Sequence, residues 1–140
     1  MVKILLATDG SEHSMKTVDK SIELARKLEA EVTALYVIEG NPQIGYDLFA
    51  AYKTTEDELE KLGKAILEKA AQPFQEQGIA VNTRLEKGHP SEIICGIAEK
   101  ENFDYVILGS RGLGGVREML LGSVSNAVAH CIKTSIIIIK

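Results

Sequence analysis

The chain has no tryptophan, three prolines, three histidines and two cysteines among 140 residues, and 5% of its side chains are aromatic. The two cysteines, Cys95 and Cys131, lie far apart and in no CxxC pair, which gives neither a zinc-site spacing nor a disulfide framework. Both are expected as small apolar groups in the interior of a protein from a reducing cytoplasm, and no base stands beside either to make a nucleophile. His13, His89 and His130 have no spacing suited to metal ligation, so no metal site is expected on the protein. Positive charge is also scarce: 16 Lys and Arg face 20 Asp and Glu, for a formal net charge of −4. The broad positive field that nucleic-acid binding relies on is missing. No apolar run approaches the about 18 residues of a membrane span. The first apolar stretch stops at Thr8-Asp9, too short for a signal-peptide core, so neither membrane insertion nor secretion is expected.

What is present is an alternation of two kinds of segment over a length that suits one domain, residues 1–140. Val2 to Ala7 is short and apolar and ends in a turn-like Asp9-Gly10-Ser11. Met15, Val18, Ile22, Ala25 and Leu28 then recur at helical spacing, with Ser11 as a cap. Glu31 to Ile38 reads as a buried strand. Thr55-x-x-Glu58 reads as a capping box before a helix carrying Leu59, Leu62, Ile66, Ala70 and Phe74, which Gly78 ends. Ile79 to Leu85 alternates as a half-buried strand nearer an edge. Pro90 opens a helix with Ile93, Ile94, Ile97 and Ala98 on one face. Tyr105 to Leu108 is a fourth strand, Ser123 to Ile132 a last helix and Ile136 to Ile139 a last strand. The order βαβαβαβαβ implies an α/β fold, an open five-stranded parallel sheet with helices on both faces, Rossmann-like in its layers. Ligands of such sheets bind beyond the carboxyl ends of the strands, where strand order reverses. The segments to search therefore follow the first and fourth strands.

Several nucleotide motifs are missing there. No Gly-x4-Gly-Lys-Ser/Thr occurs, and Asp9-Gly10-Ser11-Glu12 is no GxGxxG. A phospho-receiver site needs clustered acids, and the first strand ends in Asp9 alone. What does occur is Gly109-x2-Gly112-x9-Gly122-Ser123. A glycine at Gly109 would let a ligand approach the backbone closely. Gly112, Gly114 and Gly115 permit positive φ, which can aim successive N–H groups at one anion. Gly122-Ser123 opens a helix whose unpaired N–H groups and positive dipole end favour phosphate, with hydroxyls at Ser123 and Ser125 nearby. The alternative on glycine content alone is a surface loop closed by a serine cap.

With this pattern the sequence resembles the universal stress protein family, in its small, single-domain, ATP-binding form. The resemblance runs from Ile4-Leu5-Leu6-Ala7-Thr8-Asp9-Gly10-Ser11 to the closing isoleucines, and its most specific element is the glycine pattern. Gly88-x-Pro90 also matches. It implies strand order 3-2-1-4-5, ATP along the carboxyl edge with a divalent cation (Mg or Mn) on the phosphates, and a homodimer. Carried over by position, Ala7, Thr8 and Asp9 line the base and ribose end, with Asp9 accepting from a ribose hydroxyl, and Val37 packs on adenine. Leu108, Gly109, Ser110, Arg111, Gly112, Leu113, Gly114 and Gly115 wrap the ribose and phosphates; Gly122, Ser123, Val124 and Ser125 complete the phosphate cradle. One departure is Ile132-Lys133-Thr134-Ser135, where many members carry a proline before the last strand.

Plainer readings stand beside these. Asp9 can cap the first helix or close a turn with Ser11, Val37 can be ordinary core, and Arg111 can be a solvated charge. Three function classes follow: an ATP-binding stress-response module with at most slow turnover, an adenine-nucleotide hydrolase, or a dimeric interaction protein that uses no nucleotide. The glycine pattern disfavours the third. No arranged base or nucleophile beside the glycine-rich segment supports the second. Ile136, Ile137, Ile138 and Ile139 form a strand too apolar for a free edge, so a homodimer through it is expected. The long connection from Gly40 to Tyr52 is expected to be mobile without nucleotide and to order near the adenine.

Overall fold

The structure, a computed structural model, describes residues 1–39, 56–110 and 121–140. The connection Gly40–Tyr52, the cap residue Thr55 and the stretch Arg111, Gly112, Leu113, Gly114 and Gly115 lie outside the described residues. Along the chain run β1 (Lys3–Ala7), α1 (Glu12–Leu28), β2 (Glu31–Glu39), α2 (Glu56–Glu76), β3 (Val81–Gly88), α3 (Pro90–Lys100), β4 (Tyr105–Gly109), α4 (Ser123–Cys131) and β5 (Ser135–Ile139). All neighbours in the sheet are parallel and the order is β3-β2-β1-β4-β5, as the resemblance implied.

Ile4, Leu5 and Leu6 are consecutive and all fully buried, because β1 is covered on both faces. Side chains alternate across a strand. Ile4 and Leu6 therefore join one core with Val18 and Ile22 of α1, Phe74 of α2 and Ile107 of β4. Leu5 joins the other with Ile94 and Ile97 of α3, Val106 and Leu108 of β4, and Val128 of α4. Each such large apolar side chain contributes about 1.5–3 kcal/mol by leaving water.

The helices begin as their caps dictate. Ser11 is extended and accepts from the Ser14 amide, and Pro90 occupies the first turn of α3. On α2 the buried face holds Gly63, Leu67, Ala70, Ala71 and Phe74, while Leu62 is 55% exposed, against expectation. Gly63 explains the rotation. A Cβ there would stand 2.6 Å from Leu85 Cδ1, so the glycine faces the sheet and turns Leu62 outward. β3 starts at Val81, two positions later than expected, because the Ile79 amide closes α2 on the Phe74 carbonyl at 2.9 Å. β5 pairs with β4 from Ser135 opposite Tyr105, so the last strand forms without a preceding proline.

The cysteines correct a sequence-based expectation. Cys95 of α3 and Cys131 at the end of α4 form a disulfide, with Cα atoms 6.2 Å apart. Cys95 is half-buried and Cys131 exposed, so neither is a buried free thiol. The cause is tertiary. α3 and α4 pack side by side on one face of the sheet, a closeness that sequence separation conceals.

Candidate functional site at the carboxyl edge of the sheet

β1 ends where the chain reverses direction through the sheet, with β2 on one side and β4 on the other. The diverging connections open a cavity of about 340 Å³ there, within the range of small-ligand sites. Ala7, Thr8 and Asp9 follow β1 into its wall; Leu35, Tyr36, Val37 and Glu39 come from β2, Leu108 and Gly109 from β4. Gly122, Ser123, Val124 and Ser125 close it with the first turn of α4, while Pro90 and Ile94 of α3 and Ser14 of α1 complete it. Ten of the expected site residues thus meet in one place: Ala7, Thr8, Asp9, Val37, Leu108, Gly109, Gly122, Ser123, Val124 and Ser125. Ser110 is 5% exposed and stands behind this wall, donating its amide to the Ile139 carbonyl at 2.8 Å. Arg111 to Gly115 fall in the segment outside the described residues.

The lining combines acids, apolar side chains and the first turn of a helix. Asp9 Oδ1 accepts from the Ser11 amide at 2.9 Å and from its hydroxyl at 2.6 Å. The plain turn reading of Asp9 is therefore present. It uses one carboxylate oxygen and leaves Oδ2 without a protein partner among the described residues. Glu39 is the second acid of the lining. Tyr36 also lines the cavity, and burial first, then the Asp9 and Glu39 charges, raise its phenol above the ordinary 10.0. It stays neutral and able to donate at any physiological pH.

Helix α4 starts at Gly122, which has extended backbone (φ −62°, ψ 162°) and supplies no capping side chain. The Gly122 amide is already used, donating to the Ser110 carbonyl at 2.7 Å, and the Gly122 carbonyl accepts from the Asn126 amide. The amides of Ser123, Val124 and Ser125 belong to the first turn and have no carbonyl within the helix to reach. Ser125 is 2% exposed, and its hydroxyl donates inward to the Gly122 carbonyl at 3.1 Å. Ser123 is exposed, so its hydroxyl is the one of the two open to a ligand.

Gly109 lines the cavity and also has a reason within the fold. A Cβ there would lie 2.8 Å from His13 Cδ2 and 3.2 Å from Thr17 Oγ1, so the missing side chain makes room for α1. His13 Nε2 lies 3.0 Å from the Ile139 carbonyl. Gly10 likewise combines φ +79° with a Cβ position 2.9 Å from Ile66 Cδ1. Lining residues that sequence reasoning missed are Ser14, Leu35, Tyr36, Glu39, Pro90 and Ile94. Glu39, an acid at the carboxyl end of a strand, and Pro90, noted only as a helix start, carried a readable signal. Ser14, Tyr36 and Ile94 carried none, since helical and strand periodicity account for them.

Comparison with known proteins places this architecture. The sequence model of the universal stress protein family matches residues 1–140. The chain is 33% identical to universal stress protein MJ0531 of Methanocaldococcus jannaschii, over 92% of this chain and 78% of that protein. It is 31% identical to universal stress protein YxiE of Bacillus subtilis, over 99% and 98%. Among solved structures, MJ0577 superposes with a TM-score of 0.84 at 28% identity, covering 99% of this chain and 95% of that one. Two neighbours of the same fold were solved with adenine nucleotides. One is the Archaeoglobus fulgidus protein with dAMP (TM-score 0.76, 19% identity, 100% and 98% covered). The other is a universal stress protein with cAMP (0.72, 24%, 99% and 96%).

Proposed function

The chain belongs to the universal stress protein family, and we propose that its cavity binds ATP in a stress-response module. The observation that carries this reading is the make-up of the cavity lining: acids after β1 and at the end of β2, apolar side chains, and first-turn amides of α4 that have no partner among the described residues. A nucleoside triphosphate offers a partner for each of these: a ribose diol, a base and phosphates. The ribose diol donates to the Asp9 carboxylate, the adenine packs against Val37, and the phosphates meet the Ser123, Val124 and Ser125 amides at the positive end of α4. Ala7 and Thr8 border the base and ribose, and the glycine-rich stretch from Gly109 to Gly115 wraps the ligand. The adenine nucleotides bound by two neighbours of this fold agree with that choice of ligand. A divalent cation (Mg or Mn) would sit mainly on phosphate oxygens, because the described residues gather no group of three metal-ligating side chains.

Hydrolysis is not the main activity in this reading. Beyond the two acids at its ribose end, the described lining holds no group placed as a base beside the phosphates, so turnover is slow. The protein acts in the cytoplasm, without nucleic-acid partners, as a homodimer. No helix among the described residues is long and apolar enough to cross a membrane. β5 is an edge of the sheet, and its isoleucines are half-buried against both cores. A two-fold axis would pair it with its copy through Ile136 to Ile139. Denaturing freshly purified protein and identifying what it releases tests the ligand. Stoichiometric adenine nucleotide supports the proposal; a chain that neither retains ATP nor takes it up on titration overturns it.

A further inference from the structure

Cys95 and Cys131 stand on the two helices that wall the cavity from one side. Cys95 directly follows Ile94, which lines the cavity, and Cys131 ends the helix whose first-turn amides have no partner among the described residues. The sulfurs lie in the seam between these helices. Cys95 Sγ is 3.8 Å from the Val128 carbonyl oxygen of α4, and Cys131 Sγ is 3.6 Å from the Ser91 carbonyl oxygen of α3. The solvent-exposed Lys133–Glu99 pair at 3.3 Å, a weak tie in water, also joins this region. Cys131 is an exposed residue at the end of α4, and its sulfur turns into the part-buried seam. The chain has no third cysteine to compete.

We propose that Cys95 and Cys131 form a reversible redox site, oxidised by hydrogen peroxide, which sets nucleotide affinity by fixing α4 against α3. The inference rests on the nucleotide reading of the cavity. The Cys131 thiolate attacks one peroxide oxygen; the O–O bond breaks, and the departing oxygen is protonated to water as the sulfur becomes a sulfenic acid. The Cys95 thiolate then attacks that sulfur; the S–S bond forms, the S–O bond breaks, and the oxygen leaves as a second water. Two thiols and one peroxide give one disulfide and two waters, the sulfurs losing two electrons and the peroxide gaining them. A dithiol reverses the step by exchange at the Cys131 sulfur. The disulfide limits the motion of α4, so the phosphate-facing amides are held ready and less ordering is needed on binding.

The full chain is prepared reduced with dithiothreitol and then oxidised with hydrogen peroxide, each state checked by intact mass and titrated with ATP by calorimetry. Oxidation is expected to lower the mass by about 2 Da and to tighten ATP binding about 5-fold or more. Amide exchange across Ser123–Cys131 slows in parallel. The double variant Cys95→Ser, Cys131→Ser binds ATP alike under both treatments, which separates the disulfide from side effects of the reagents. Equal affinity in the two states of the parent chain overturns the coupling while leaving the nucleotide reading intact, and so does a peroxide treatment that leaves both thiols free. Absence of ATP binding in both states overturns the nucleotide reading itself and this inference with it.

Discussion

The Gly122 amide donates to the Ser110 carbonyl at 2.7 Å, so the residue that begins α4 is tied to the residue that follows β4. Ser110 in turn donates to Ile139 at 2.8 Å, and His13 Nε2 meets the same Ile139 carbonyl at 3.0 Å. Both ends of the glycine-rich segment are thereby tied to the carboxyl end of β5, and with them the direction of the first turn of α4. A phosphate site made of backbone needs such an anchor, because its donors have no side-chain freedom with which to adjust.

Gly122→Val tests that arrangement. The glycine backbone angles suit any residue, so the fold should survive, but a side chain at this buried, cavity-lining position intrudes on the phosphates. ATP affinity should fall at least about 100-fold. Ser123→Ala removes one hydroxyl bond to a charged oxygen, a loss of about 1.5–3 kcal/mol or roughly 10- to 150-fold. Asp9→Asn keeps an acceptor for Ser11 and leaves an amide that still pairs with a ribose hydroxyl, so its effect is the mildest, about 0.5–1.5 kcal/mol. Calorimetry on the three variants, each checked by circular dichroism, gives the order directly.

Gly109→Ala should destabilise the fold by about 1–3 kcal/mol, since its Cβ meets the His13 ring and α1 must shift. Urea melts of Gly109→Ala, His13→Ala and the double variant measure the coupling. The double variant should lose less than the sum of the singles, because His13→Ala vacates the space the new methyl needs. Strict additivity would show that His13 is not what excludes a side chain at this position.

Much of the architecture was legible because it rests on local periodicity. Four apolar strands and one alternating strand, Ser11 and Pro90 as helix starts, and the strand-end position of Asp9 are all written in neighbouring residues. The glycine pattern likewise located Gly122 and Ser123 in the cavity wall. Side-by-side relations were not legible. The Cys95–Cys131 disulfide depends on how α3 and α4 pack, Gly109 answers to a histidine on another element, and Gly63 rather than Leu62 faces the sheet because Leu85 fills the space beside it. The inward turn of Ser125 follows from its helix-cap geometry, which residue type alone does not reveal.

Tyr36 predicts an alkaline signature. Its phenol is raised above 10.0 in the folded chain, chiefly by burial, so the unfolded chain gives up this proton first as pH rises. Stability therefore falls with increasing pH from about the ordinary tyrosine range upward. Phenolate absorbance should show a late-ionising tyrosine that Tyr36→Phe removes. ATP phosphates add negative charge to the cavity and should delay it further. Loss of the late component in a variant of another tyrosine would misassign it.

The edge strand predicts assembly. Light scattering at micromolar concentration should give a dimer, and Ile138→Lys should give a folded monomer by placing a charge on the shared edge. A monomeric parent chain, or a folded Ile138→Lys dimer, removes β5 as the interface.

In the proposed binding mode ATP enters the carboxyl-edge cavity with its phosphates on the first turn of α4. Titrating isotope-labelled protein with ATP while following backbone amide resonances tests it most directly. The amides of Ser123, Val124 and Ser125 should move most, with Val37 and Asp9 moving at the other end, and adenosine should shift the second group without the first. Saturating ATP that leaves the Ser123–Ser125 amides unmoved, or that shifts residues outside the cavity instead, would contradict the account.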